Sequence, residues 1–151
     1  QKRDRVGMIA FRRQQAEVLL PITRSVDLAQ KRLAEMPTGG KTPLADGLAT
    51  ALLTIAKLNK KDSELEPILV LVTDGRANAI EENGGDPVEA AIKMAEKIRK
   101  AKITSVVIDT ENDFIKLGVA KKVAQAMGAS YYNLRQLSKE HILRIVRNLG
   151  E

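Results

Sequence analysis

The run Ile68-Leu69-Val70-Leu71-Val72 constrains this chain more than any other segment. Continuous apolar, β-branched sequence without polar alternation reads as a strand covered on both faces, and such strands belong to parallel sheets crossed by helices. The flanking sequence supplies the helices. Upstream, Leu44, Leu48, Leu52, Ile55 and Leu58 recur at helical spacing. Downstream, Asp86-Pro87-Val88-Glu89 reads as an N-cap, an N1 proline and an N3 glutamate, opening a helix with Val88, Ile92, Ala95 and Ile98 on one face. Ile103 to Ile108 is a second buried strand, and Lys116 to Met127 a helix stopped by Gly128. Tyr131-Tyr132 is a short strand, and Ser138 caps a last helix bearing Ile142, Ile145, Val146 and Leu149.

The first third has a different period. Arg5 to Phe11 and Ala16 to Leu20 are short β-type runs separated by Arg12-Arg13-Gln14-Gln15, which predicts an antiparallel hairpin. Ser25 can cap a helix carrying Val26, Ala29, Leu33 and Met36. The order β-β-α-α-β-α-β-α-β-α predicts a single α/β domain over 1–151, an open and mostly parallel sheet with helices on both faces.

Composition excludes several functions. The chain has 151 residues, no cysteine and one histidine, His141. That removes disulfide scaffolds, thiolate zinc sites and cysteine nucleophiles, and leaves His141, inside the last helix, as a packed or surface side chain. No apolar run approaches the roughly 20 residues of a membrane-spanning helix. The net charge is +6, and from Phe114 onward seven Lys/Arg face only Glu140 and Glu151. Aromatic residues are 3% of the chain and are not interleaved with the basic ones, so a nucleic-acid stacking surface is not expected. A solvated face or a patch for an acidic protein partner, with Arg144 and Arg147 on the last helix, accounts for the excess.

Ligands of open α/β sheets bind beyond the carboxyl ends of the strands, here the loops at 37–43, 73–86 and 109–115. Gly40-Lys41-Thr42 matches the end of a phosphate-binding loop, but Glu35 stands where its first glycine belongs. Asp109 to Asp113 offers oxygen ligands at alternate positions, yet Phe114 and Ala120 occupy the glycine and bidentate glutamate places of a calcium loop; strand end plus helix cap fits better. Thr42 and Asp74 together offer a hydroxyl and a carboxylate, donors that suit Mg²⁺. On spacing alone, a helix cap for Thr42 and a turn residue for Asp74 are the favoured readings.

The stretches RVGMIAF (5–11), AEVLLPITRSV (16–26), MPTGGKTPLADGL (36–48) and VLVTDGRAN (70–78) resemble the von Willebrand factor A, or integrin I, domain. Within that family, the wording TGGKTPLADGL and TDGRAN is similar to the C-terminal domain of the D-type component of magnesium chelatase. The resemblance implies a metal-ion-dependent adhesion site with Thr42 as second-loop hydroxyl and Asp74 as third-loop carboxylate. The family's first loop, D-x-S-x-S after its first strand, occurs nowhere from Gln1 to Glu151. The expectation is therefore a domain without the family's first strand and first helix, Gln1 to Asp4 being the remnant of that helix, and with negligible Mg²⁺ affinity by itself. The absent strand is central in the family, between the strands at 5–11 and 68–72. Either those two strands pair directly, or chains exchange elements or associate through the open edges.

By the same resemblance, the parent magnesium chelatase uses ATP to insert Mg²⁺ into protoporphyrin IX in chlorophyll or bacteriochlorophyll synthesis, in the cytoplasm or plastid stroma. This part would dock the AAA+ ATPase subunit and the porphyrin-binding subunit of that enzyme rather than catalyse. A cobalt-chelatase-like or other AAA+-associated A domain, and a small phosphate-binding enzyme using 37–43, are the alternatives.

Overall fold

A computed structural model describes residues 6–12, 15–23, 25–34, 43–74, 85–110, 118–134 and Arg144. The elements are β1 (Val6–Arg12), β2 (Gln15–Thr23), α1 (Val26–Ala34), α2 (Leu44–Lys61), β3 (Ile68–Thr73), α3 (Pro87–Lys100), β4 (Thr104–Asp109), α4 (Val119–Met127) and β5 (Ser130–Asn133). The predicted α/β order is met through β5. The last helix lies outside the described residues except for Arg144, which is helical and exposed.

β3, β4 and β5 form a parallel sheet in that order, with Leu71 opposite Val107 and Val107 opposite Tyr131. Side chains alternate across a strand, so Leu71, Val107 and Tyr131 share one face, which α2, α3 and α4 cover. Leu44 and Leu48 of α2, Ala91, Ala95 and Ile98 of α3, and Val123 and Met127 of α4 are buried there. The buried stripe of α3 differs from the expected one. Ala91 joins it, while Val88 and Ile92 are half-buried. As the middle helix, α3 packs against both α2 and α4, and small residues let it approach them closely.

The local caps are as read. Leu28 N–H donates to the Ser25 hydroxyl (3.1 Å) and Val88 N–H to the Asp86 carboxyl (2.9 Å). α2 differs in that its N-cap position is Pro43, which has no side-chain acceptor. Thr42 itself lies outside the described residues.

α3 and α4 end in the same turn. Ile103 N–H donates to Ile98 O and Lys102 N–H to Arg99 O after α3, while Ala129 N–H donates to Ala124 O and Gly128 N–H to Gln125 O after α4. The left-handed position is Gly128 (φ 67°) in one and Lys102 (φ 58°) in the other. For a residue with a β-carbon that conformation costs roughly 1–2 kcal/mol. Lys102 is the one non-glycine residue among those described with positive φ.

β1 and β2 form a separate antiparallel pair, with Arg12 opposite Gln15. β2 runs on to Thr23, past the expected end at Leu20, because register shifts between Val6 and Ile9 make room for Pro21 in a strand with no second described neighbour. Among the described residues β1 and β3 do not pair, so direct closure of the gap, one of the two expected routes, is not how this sheet is built. β3 also departs from its expected double coverage, for Val70 and Val72 are 44% and 55% exposed.

The core assignment predicts that Leu48→Ala, at 1% exposure, lowers unfolding free energy by about 2–5 kcal/mol in urea melts. Leu53→Ala, on the outer face of the same helix at 62% exposure, is expected to stay within about 0.5 kcal/mol.

Candidate functional site

Parallel register brings the ends of three strands to one level. Thr73 of β3 stands opposite Asp109 of β4, which stands opposite Asn133 of β5. Thr110 N–H donates to Thr73 O at 2.9 Å, extending the ladder one residue beyond the strands. Asp74 follows, half-buried, at the mouth of the crevice. The start of α2 lies at this same edge, since the helix returns antiparallel to β3 before a short connector.

Behind Asp74 the edge is polar and buried. Thr73 and Asp109 are each 6% exposed. The Tyr131 hydroxyl donates to Asp109 Oδ2 at 2.5 Å, crossing from β5 to β4. Burial first, then the hydrogen bond to Asp109 and the negative charge there, push the Tyr131 hydroxyl up from 10.0 to about 12, with a hydrogen bond to Asn133 acting the other way. Asp109 is thus the end of a strand tied to its neighbour, which meets the strand-end part of the reading for 109–113; residues 111–113 lie outside the described residues.

Of the predicted site residues, Asp74 is placed at the carboxyl edge and Arg144 on a helix far along the chain, exposed. Thr42 and Arg147, and the loop 37–42 that carried the phosphate-binding alternative, lie outside the described residues. Among the described residues no three His, Cys, Asp or Glu side chains come together to hold a metal ion. Asp74 is an oxygen donor of the type Mg²⁺ takes, and with Thr42 it would amount to a partial set that needs waters or a partner's carboxylate to complete it. The Asp109–Tyr131 pair was missed from sequence. Aligning the carboxyl ends of ITSVVID and SYYN as parallel neighbours is the signal that would have found it.

Comparison with known proteins agrees with this architecture. Residues 1–77 match the von Willebrand factor type A domain, and the chain belongs to that family. It is 41% identical over 151 residues to an uncharacterized protein of Methanocaldococcus jannaschii, covering 99% of this chain and 85% of that one. It is 37% identical over 153 residues to the magnesium-chelatase 67 kDa subunit of Heliobacterium mobile, covering 97% of this chain but only 23% of the subunit. The crystal structure of a conserved hypothetical protein, BatB from Bacteroides thetaiotaomicron, shares the fold at a TM-score of 0.64 with 16% identity, covering 97% of this chain and 80% of that one. No described helix is long and apolar enough to cross a membrane.

The tyrosine pair makes a pH-dependent prediction. The folded chain keeps the Tyr131 proton up to about pH 12, whereas an unfolded tyrosine releases it near 10. Stability from this group is therefore complete below pH 10 and is lost as pH rises toward 12. Tyr131→Phe is expected to lower unfolding free energy at pH 8 by about 1.5–3 kcal/mol. That deficit should shrink between pH 10 and 12 in paired urea melts; a deficit constant across this range would contradict the pairing.

Proposed function

We propose that this chain is a docking module of a chelatase-type assembly and that the carboxyl edge of its parallel sheet is the docking face. The observation carrying this reading is Asp74. It stands at the end of β3, beside the strand-end carboxyl of Asp109, at the crevice where open α/β sheets take their ligands. In this reading Asp74 gives a carboxylate and Thr42 a hydroxyl to Mg²⁺, and a carboxylate of the partner completes the coordination. Similarity to a magnesium-chelatase subunit supports the choice of assembly. The partners proposed are the AAA+ ATPase subunit and the porphyrin-binding subunit, with the ATP-driven insertion of Mg²⁺ into protoporphyrin IX performed elsewhere in the complex.

Two protein ligands leave most of an octahedral Mg²⁺ shell to water, so the chain alone is expected to bind the ion negligibly. A strand carrying D-x-S-x-S, seated along the free edge of β3, would bring the remaining hydroxyl and carboxylate donors to Asp74. The open edge is also where two copies of this chain would associate.

Titration against the AAA+ ATPase subunit, with and without Mg²⁺, tests the reading. A chain extended by the D-x-S-x-S strand should bind in a Mg²⁺-dependent way, and Asp74→Ala or Thr42→Ala should each weaken that binding by tenfold or more. Equal, metal-independent binding by the extended chain and both variants would return Asp74 to a turn residue and move docking to another surface. A saturable micromolar Mg²⁺ site on the unextended chain would refute the claim that the site is partial.

A further inference from the structure

We propose that the C-terminal end of α3 is a second docking pocket, for a carboxylate-rich segment of a protein partner, at the end of the molecule opposite Asp74. α3 starts at the carboxyl edge of the sheet and ends where β4 begins, so Arg99, Lys100 and Lys102 lie at the amino edge. With Glu96 they line an open surface depression of about 450 Å³. Arg99, Lys100 and Lys102 are exposed, and none of them forms an ion pair among the described residues.

Two features indicate a built site rather than a solvated helix end. Arg99 is positioned, its side chain lying over Gly128 with Cγ 3.5 Å from where a β-carbon would stand, so the end of α4 supports it. Lys102 is held where glycine is the favoured residue. The same turn at the end of α4 is made with Gly128, while after α3 a lysine takes the left-handed position at a cost in strain. The helix dipole accounts for cations in the last turn of α3, namely Lys97, Arg99 and Lys100. It does not account for a strained lysine beyond the helix, whose ammonium adds to the wall of the depression.

The chemistry favours carboxylates. A guanidinium fork beside two ammonium groups matches one or two carboxylates in number and shape. A nucleic-acid strand needs a long basic groove with stacking surfaces, and among the described residues the wall here holds no aromatic side chain and carries Glu96. The pocket is independent of the cation site and survives if the reading of Asp74 fails.

Fluorescence anisotropy with a fluorescein-labelled octaglutamate peptide, at low and physiological salt, tests the proposal. Arg99→Gln/Lys100→Gln is expected to weaken binding about five- to tenfold. Lys121→Gln removes one charge, as Lys100→Gln alone does, but in the exposed first turn of α4 at the other end, and should leave binding within about 1.5-fold. Lys102→Gly should raise Tm by about 2–4 °C while weakening the peptide about two- to threefold. The proposal is overturned if Lys121→Gln weakens binding as much as Lys100→Gln. It is equally overturned if Lys102→Gly raises Tm without changing affinity, or if oligouridylate displaces the peptide more strongly than unlabelled octaglutamate does.

Discussion

One buried sheet face organises the molecule. Leu71 and Val107 must be kept from water, and only helices returning antiparallel to the strands can cover them within a parallel sheet. That requirement gives α2, α3 and α4 the same direction, and it sorts the chain's polar residues by end. Helix starts and strand ends collect at one edge, with Asp74, Asp109 and Thr73; helix ends and strand starts collect at the other, with Arg99, Lys100 and Lys102. Topology therefore fixes which residues meet at each edge, although each edge also carries charges of the other sign, Lys121 at the first and Glu96 at the second.

The opposite face and the free edge of β3 show what the same requirement leaves unfinished. Val106 and Ile108 of β4 are buried, yet Val70 and Val72 of β3 lie half open although their sequence is equally apolar. Side-chain composition therefore matches a strand with neighbours on both sides, while pairing among the described strands supplies one. Exposed valines on a strand whose outer edge has no partner among the described residues are a preferred place for another strand to add. In the proposed reading, completion of the sheet and completion of the cation site are therefore one problem, because a strand added in parallel along β3 would end beside Asp74.

Short-range chemistry was legible in the sequence and long-range register was not. Ser25, the Asp86-Pro87 start of α3 and the Gly128 stop act on backbone groups within a few residues, so contiguous sequence announces them. β2 outruns its expected end at Leu20 and carries Pro21 inside the strand, a residue strands tolerate where pairing is one-sided, as it is for β2 among the described residues. Ala91 lies three residues after Val88 and four before Ala95, on the same helical face, so its burial was readable from periodicity; what periodicity did not give is that Val88 and Ile92 are only half-buried. The Asp109–Tyr131 contact spans 22 residues and depends on the alignment of two parallel strands. Of the candidate site, Asp74 was found because it directly follows a recognisable strand.

Lys102 shows where sequence and structure inform each other most. In the sequence it is one of 25 basic residues and carries no signal. In the structure it is the non-glycine member of a matched pair of helix ends, so its strain can be judged against Gly128 a short distance away. A glycine there would satisfy every backbone hydrogen bond of the turn, as Gly128 does, while removing the aliphatic stem and the ammonium group together. In the proposed reading it is the side chain rather than the turn that sets this position apart, because it adds a further cation after the last-turn Arg99 and Lys100 of α3.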